Sequence, residues 1–248
     1  MDERFMRTRL LLGDEAMEAL SRACVAVAGA GGVGGACAEA LVRCGLGKLI
    51  LVDNDSVSLT NLNRQLFATG DSVGLLKVEA ARRRLLSLNP ALDYEPLPVF
   101  YTDESKAELF SRKPDLVIDA IDTVSAKLSL AAECRARGIP IITCLGTGNR
   151  LDPSAFRIGT VEDTAGCGCG LARVMRRECK KRGITGLPVV YSQEPPRPVA
   201  IPETEDAPLF GRHPPASVSF CPPVAGYLLA SWAVRQLASR SQPPERRI

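Results

Sequence analysis

Short runs of apolar residues alternate along the chain with longer segments in which apolar residues recur every three or four positions. The runs 25–28, 48–52, 116–118 and 141–143 are almost continuously apolar or β-branched. Such runs are typical of strands whose two faces are both covered, because an exposed face would show a polar residue at every second position. The pattern therefore predicts four buried strands.

Helical periodicity fills the intervals between these strands. Segment 33–44 ends before Gly45, segment 77–88 ends before Asn89-Pro90, and segment 126–137 ends before Gly138. Alternation of buried strands with amphipathic helices predicts an α/β fold with a Rossmann-like, mainly parallel sheet and helices on both faces.

The pattern changes in the C-terminal part of the chain. Runs 156–158, 189–191 and 218–220 predict further strands, which we expect to extend the sheet in antiparallel fashion. Segment 193–216 is rich in proline and has no periodicity, so we expect a mobile surface loop there. The apolar stretch 218–238 contains prolines and Arg235, which favours a core helix over a stable membrane insertion.

Composition adds little to this picture. The 248 residues are 46% hydrophobic and 24% charged, which is ordinary for a globular protein, and the net charge of +3 indicates no particular partner. The nine cysteines are an odd number, and the charged N-terminal segment lacks the apolar core of a secretory signal. We therefore expect a cytoplasmic protein with reduced thiols.

Glycines are concentrated between the first predicted strand and the first predicted helix, at Gly29, Gly31, Gly32 and Gly34. Glycines in such a turn let backbone N–H groups approach a nucleotide phosphate at the start of the helix. Asp53 ends the second strand, where a carboxylate can accept hydrogen bonds from ribose hydroxyls. The sequence therefore predicts a nucleotide site at this turn.

Further polar residues distinguish this site from a simple dinucleotide site. Arg64, Lys77 and Asp122 each follow a predicted strand or open a helix, at the sheet edge where α/β proteins bind ligands. The two cations can neutralise a triphosphate, and Asp122 can hold Mg²⁺. A non-catalytic or NAD-dependent module stays open as an alternative, but it has no need of these three residues.

Four motifs together resemble a known superfamily: GAGGVG, LVDNDSVSLTNLNRQ, VGLLKVEAARRRL and IDAIDT. They are similar to the ATP-dependent adenylating enzymes, which include ubiquitin-activating enzymes and the molybdopterin- and thiamine-pathway adenylyltransferases. The resemblance spans nearly the whole chain, which implies a single adenylating domain over 1–248.

The resemblance also implies roles for individual residues. Gly31 and Gly32 would approach the phosphates, and Asp53 would bind the ribose. Asp122 would bind Mg²⁺ or the adenylate. The triphosphate would be held by Asn61, Arg64 and Lys77.

The N-terminal run 4–7 resembles the arginine motif of the same superfamily. In that motif the second arginine reaches into the site of the other subunit. The resemblance therefore implies that Arg7 acts in trans and that the protein is a homodimer.

A strongly basic segment lies at 171–182. Arg173, Arg176, Arg177 and Lys180 are spaced three or four apart, so on a helix they share one face, which favours a polyanion such as tRNA. A solvated helix face is the alternative interpretation.

This run, with LVIDAIDTVSAK, IPIITCLGTGN and FCPPVAG, resembles the tRNA threonylcarbamoyladenosine dehydratases. That branch implies a ligase-type reaction in which ATP adenylates the carboxylate of the modified adenosine. Closure within the modification then expels AMP, with net loss of water. Gly170 and Ala216 stand where this branch commonly has proline and glycine.

The main alternative is an adenylyltransferase acting on the C-terminus of a small sulfur-carrier protein. Its zinc-containing members carry two Cys-x-x-Cys pairs. Here Cys167 and Cys169 are the one close pair and His213 is the sole histidine. Tetrahedral zinc needs four such ligands, so the sequence does not favour a structural zinc site. A sulfur-transfer protein stays open as a partner. A catalytic cysteine that takes the acyl group from the adenylate is less favoured, because a cyclising reaction needs no enzyme thiol.

Overall fold

The computed structural model describes residues 2–199 and 215–239. Within these ranges the chain forms eight α-helices and a seven-stranded sheet. The N-terminal elements are α1 (Met6–Leu12), α2 (Asp14–Arg22), β1 (Cys24–Ala28), α3 (Gly32–Arg43), β2 (Lys48–Val52), α4 (Lys77–Leu88) and β3 (Asp93–Leu97). The elements that follow are α5 (Lys106–Phe110), β4 (Leu116–Asp119), α6 (Val124–Arg137), β5 (Ile141–Cys144), β6 (Phe156–Thr160), α7 (Gly170–Lys181), β7 (Pro188–Ser192) and α8 (Cys221–Ser239).

The strands lie in the order β3-β2-β1-β4-β5-β7-β6. Every neighbouring pair is parallel except β6 and β7, which pair antiparallel. The predicted α/β class and the antiparallel extension are therefore confirmed, with β7 itself parallel to β5. The strand order reverses beside β1, and α/β sheets bind ligands at such a switch point.

The two faces of the sheet are covered by separate apolar clusters. One cluster joins the sheet to α2, α3, α4 and α8, and the other joins it to α5, α6 and α7. Helices α3 and α8 cross closely, since a Cβ at Gly226 would lie 2.3 Å from the carbonyl oxygen of Val33. Helices on both faces are thus confirmed.

The predicted strand at 218–220 is wrong. These residues form a bend that leads into α8, and Phe220 is exposed. Pro222 and Pro223 lie buried in the first turn of that helix. Proline has no backbone N–H, and N–H groups in the first turn have no partner within the helix, so nothing is lost there. The stretch 218–238 does supply a core helix, as expected, since α8 is buried along one side.

Two regions that the pattern did not predict are regular. Strand β3 contains Pro96 and two acids, which it tolerates because it lies at the edge of the sheet, where a missing backbone donor can face solvent. The N-terminal helices α1 and α2 precede the sheet, and α1 leaves Leu10 and Leu11 exposed. The sequence of α1 does not show the usual amphipathic period, because these apolar side chains lie on its exposed side.

Most of the predicted proline-rich loop, at 200–214, lies outside the described residues, as does His213. Its flanks meet beside Asn149, which donates its N–H to Ala216 (2.7 Å) and accepts at its carbonyl from the N–H of Arg197 (2.9 Å). Among the helices that the structure describes, none combines the length and apolar character needed to cross a membrane.

Candidate nucleotide-binding site and basic helix

The glycine turn between β1 and α3 is packed too tightly for larger residues. Gly29 has a positive φ of 98°, and a Cβ there would lie 2.7 Å from the carbonyl oxygen of Ala120. A Cβ at Gly34 would lie 1.7 Å from the carbonyl oxygen of Gly29. The turn therefore needs glycine at both positions, and it touches the loop that follows β4.

Asp53 connects the end of β2 to this turn by hydrogen bonds. Its Oδ2 accepts from the N–H of Ala30 (2.7 Å), and its Oδ1 accepts from the N–H of Asp55 (2.9 Å). Burial raises the pKa of Asp53, while these hydrogen bonds and the Lys77 ammonium counteract the shift. Each carboxylate oxygen retains a second lone pair, so Asp53 can also accept from ribose hydroxyls.

Lys77 is the first residue of α4, and its side chain is nearly buried. The Nζ atom donates to Asp55 Oδ2 (2.7 Å) and lies 3.9 Å from Asp53 Oδ1. The ammonium is thus held at the tip of β2, beside the acid predicted to bind the ribose. A cation in this place can meet the phosphates of a nucleotide whose ribose binds Asp53.

The segment carrying Asn61 and Arg64 lies over the glycine turn. A Cβ at Gly32 would lie 3.1 Å from the Arg64 carbonyl oxygen and 3.5 Å from its Cγ. Buried Asn61 accepts from the N–H of Ser58 (3.1 Å), which shapes the segment. The Arg64 guanidinium donates to the Thr60 carbonyl (3.0 Å) and to Asn63 Oδ1 (2.9 Å). Binding a phosphate would require it to exchange these partners.

Asp122 lies in the loop after β4, two residues beyond Ala120, which touches the turn. Its side chain is exposed, and its Oδ1 accepts from Thr123 Oγ1 at 3.3 Å. No ion pair involves Asp122 among the described residues. An exposed carboxylate at this edge has the donor type that Mg²⁺ prefers.

Sequence reasoning missed a buried ion pair directly beneath this loop. Lys127 on α6 and Asp119 at the end of β4 are both fully buried, with Nζ 3.1 Å from Asp119 Oδ1. Lys127 also donates to the Cys144 carbonyl (2.7 Å), and Asp119 Oδ1 accepts from the N–H of Ile121 (3.1 Å). The pair therefore joins β4, β5 and α6 under Asp122. No local pattern in the sequence marks this pair, because a lysine on a helix ordinarily faces solvent.

Arg7 does not lie with these residues. It is exposed on α1, and the neighbouring Phe5 ring packs near Gly45, between the end of α3 and the start of β2. That position is at the amino edge of the sheet, whereas the glycine turn is at the carboxyl edge. Within one chain, the structure does not bring Arg7 to the nucleotide site.

Helix α7 carries the predicted basic face, but its cations are held differently. Arg176 Nη1 donates to the Thr164 carbonyl (2.7 Å) and to Thr164 Oγ1 (2.8 Å). Glu178 pairs with three cations, and these bonds lower the pKa of Glu178 to about 2. Those partners are Arg182, Arg177 and Lys181. In the described part of the chain, the exposed side chains of Arg173 and Lys180 have no partner.

All nine cysteines are free thiols. Cys24, Cys37, Cys134 and Cys144 are buried, and burial raises the pKa of Cys134 and of Cys144 to about 12. These four thiols are protonated at neutral pH and serve packing. Cys169 is half-buried in a loop beside the tip of β5.

The fold and this site identify the class of protein. The ThiF family model matches residues 4–247, so the chain belongs to the ThiF family. The resemblance predicted from the motifs is thereby confirmed.

Individual relatives point to one branch. The chain is 38% identical over 246 residues to the tRNA threonylcarbamoyladenosine dehydratase of Bacillus subtilis, covering 96% of this chain and 95% of that protein. It is 36% identical over 204 residues to the enzyme of the same name from Escherichia coli, covering 77% and 74%. The crystal structure of the E. coli dehydratase TcdA in complex with ATP matches with a TM-score of 0.84 and 31% identity, covering 96% and 95%.

Proposed function

We propose that this protein is an ATP-dependent tRNA threonylcarbamoyladenosine dehydratase. The observation that carries the proposal is the match to the B. subtilis enzyme of that name, which spans almost the full length of both chains. The clustering of the glycine turn, Asp53 and Lys77 at one sheet edge supports it, because these groups suit a nucleotide with a phosphate chain.

The proposed reaction has two steps. A carboxylate oxygen of the threonylcarbamoyl group attacks the α-phosphorus of ATP, and pyrophosphate leaves. A nucleophile within the modification then attacks the activated carbonyl carbon, loses its proton and expels AMP with the former carboxylate oxygen. The modified adenosine has then lost one water, and proximity favours the second step because it is intramolecular.

The residues around the turn suit the first step. Backbone N–H groups at Gly31 and Gly32 would meet the phosphates, and Asp53 would hold the ribose. Lys77 and Arg64 would neutralise charge on the departing pyrophosphate, and such stabilisation is strongest when the donors are already in place. Lys77 meets this condition because it is nearly buried and held by Asp55.

Asp122 would bind Mg²⁺ together with phosphate oxygens. Its exposed carboxylate fits this role, because Mg²⁺ in nucleotide sites is usually held by one or two carboxylates plus the phosphates. The ion would supply charge neutralisation when bound.

A homodimer would complete the site. Arg7 lies at the opposite sheet edge from the glycine turn of its own chain, so it could reach a nucleotide only in a second copy. The exposed Leu10 and Leu11 on the same helix are suited to burial in such an interface. We place the enzyme in the cytoplasm, where its tRNA substrate is processed and its thiols stay reduced.

The tRNA would bind along α7. Arg173 and Lys180 are exposed and lack side-chain partners among the described residues, so they can contact phosphates directly. Arg176 and Arg177 would add to this surface from the same face of the helix.

The sulfur-carrier alternative retains one specific observation in its favour. The chain is 30% identical over 245 residues to the sulfur carrier protein adenylyltransferase of Thermus thermophilus, covering 97% of this chain and 79% of that protein. Both activities would use the same nucleotide site, and the higher identity to the B. subtilis dehydratase, 38% against 30%, favours the modified tRNA as the acid.

Mass spectrometry of nucleosides tests the proposal. Threonylcarbamoyl-modified tRNA is incubated with the protein, ATP and magnesium, and we expect ATP-dependent loss of one water from the modified adenosine. Asp122→Ala should abolish this change, whereas Asp163→Ala, an exposed acid beyond β6, should retain it. Unchanged tRNA, with adenylation of a sulfur-carrier protein instead, would overturn the proposal.

A further inference from the structure

A second cavity lies beside the nucleotide site at the carboxyl edge of the sheet. It has a volume of about 240 Å³ and is lined by Thr164, Gly166, Cys167, Gly168, Cys169, Arg173 and Arg176. Cys169 Sγ lies 3.0 Å from the Cβ position of Gly146, which follows β5. Because β5 adjoins β4, this cavity lies at the same edge of the sheet as the loop that carries Asp122.

The charge of the cavity is one-sided. Two arginines line it, and none of the lining residues that the structure describes carries a carboxylate. The acid on α7, Glu178, is occupied by three other cations and does not line the cavity. Two arginines without a counter-charge provide the donors that bind a phosphate with defined geometry.

The two arginines differ in how they are held. Arg176 donates to Thr164 through Nη1 alone. Within residues 2–199 and 215–239, the Nε and Nη2 atoms of Arg176 make no hydrogen bond. Arg173 has no side-chain partner in the same ranges. One donor group is thus preorganised at the cavity wall, and the other can close onto a ligand.

At Gly166 the cavity wall leaves room for the ligand backbone, because a Cβ there would meet nothing within 4 Å, whereas at Gly168 it would lie 3.2 Å from Pro196 Cδ. Both glycines have positive φ values, 82° and 72°, so the loop turns sharply. The volume is below the roughly 300 Å³ of the smallest drug-sized pockets, which suits one phosphate group with part of its sugar.

We infer that this cavity binds one phosphodiester group of the RNA substrate next to the modified adenosine. The inference rests on the proposed function and assigns it a defined anchoring point. An RNA backbone suits the site better than a free anion, because exposed Lys180 continues the positive surface along α7 from Arg173. Lys181 and Arg182 lie outside the cavity and pair with Glu178.

A charge-matched pair of variants tests this assignment. The probe is a fluorescein-labelled, unmodified anticodon stem-loop RNA. We expect Arg173→Ala/Arg176→Ala to weaken binding about tenfold and to reduce the salt slope by roughly one, as for loss of a phosphate contact. Lys181→Ala/Arg182→Ala removes the same charge from the C-terminal end of the same helix, where both cations pair with Glu178, and should change the affinity less than about threefold. Because Arg176 also bonds to Thr164, its removal could disturb the loop. The single variant Arg173→Ala therefore repeats the test while the Arg176–Thr164 contact stays intact.

Alkylation of Cys169 gives a readout that is independent of activity. The RNA should slow its reaction with N-ethylmaleimide in the unaltered protein, whereas the same concentration of inorganic phosphate should not. Cys44, also half-buried but at the amino edge of the sheet, should react at the same rate with and without RNA.

The outcomes separate the two proposals. RNA binding that both variant pairs weaken equally, with Cys169 unprotected, would overturn the cavity assignment and leave the proposed function intact. Protection by inorganic phosphate as strong as by RNA would indicate a free-anion site and would also overturn it. No RNA binding by the unaltered protein would overturn both.

Discussion

The ion pairs beside the glycine turn and those on α7 are held in different ways. Near the turn the lysines are buried or nearly so, and each has particular partners: Lys77 with Asp53 and Asp55, Lys127 with Asp119. At the C-terminal end of α7 the cations Arg177, Lys181 and Arg182 are exposed, and all three share Glu178.

This difference determines how each region responds to change. Removing one member of a buried pair leaves its partner desolvated and uncompensated, which is costly. Removing one exposed cation leaves several equivalent neighbours, and solvent screens what is lost. Single substitutions should therefore act sharply near the glycine turn and weakly on α7.

The largest effect is expected from Lys127→Met. The variant leaves the fully buried Asp119 carboxylate without its cation, so the free energy of unfolding should fall by about 3–5 kcal/mol. Urea denaturation measures this value. Lys181→Met on α7 is the matched control and should change it by less than about 0.5 kcal/mol. Equal effects of the two variants would remove the contrast between the regions.

A smaller loss, in rate rather than stability, is expected from Lys77→Ala. The ammonium beside Asp53 is proposed to act on the phosphates, so single-turnover cyclisation should slow about a hundredfold. Lys181→Ala, an exposed lysine, should stay within about twofold. A Lys77→Ala enzyme that cyclises at the unaltered rate would remove Lys77 from the site.

The smallest effect concerns Glu178 and pH. Hydrogen bonds, first from Arg182 and then from Arg177, hold its pKa at about 2, below the usual 4.5. Because the folded-state pKa is depressed, the stabilisation is complete above pH 4.5 and is lost as pH falls toward 2. Carbon-13 NMR titration of the Glu178 carboxyl measures the midpoint. Arg182→Ala should raise it and Arg173→Ala should not; a midpoint near 4.5 in the unaltered protein would contradict the pairing.

The centre of the fold could be predicted from the sequence, whereas its margins could not. Strands β1, β2, β4 and β5 are buried on both faces, so their apolar runs are unambiguous. Strand β3 carries polar residues and a proline because an edge position tolerates them. Residues 218–220 show strand-like alternation, but the prolines that follow start a helix instead.

The residues proposed to bind a nucleotide rest on local features, since a turn that admits only glycine and an acid at a strand end can be recognised in the sequence; the structure places Gly29, Asp53 and Lys77 at one sheet edge. The burial of Lys127 could not be predicted, because a lysine on an amphipathic helix ordinarily faces solvent, and its burial depends on Asp119 from another element. Periodicity placed four cations on one face of α7, but it could not show that Arg176 is bound to Thr164.

The close crossing of α3 and α8 has a consequence for biosynthesis. A Cβ at Gly32 would lie 3.0 Å from Pro222 Cβ, so the first turn of α8 covers the start of the helix that follows the glycine turn. About 190 residues separate the two along the chain, and such distant contacts form late. During synthesis the glycine turn lacks this cover until α8 has left the ribosome. The start of α3 therefore becomes buried only after about 190 further residues have been made.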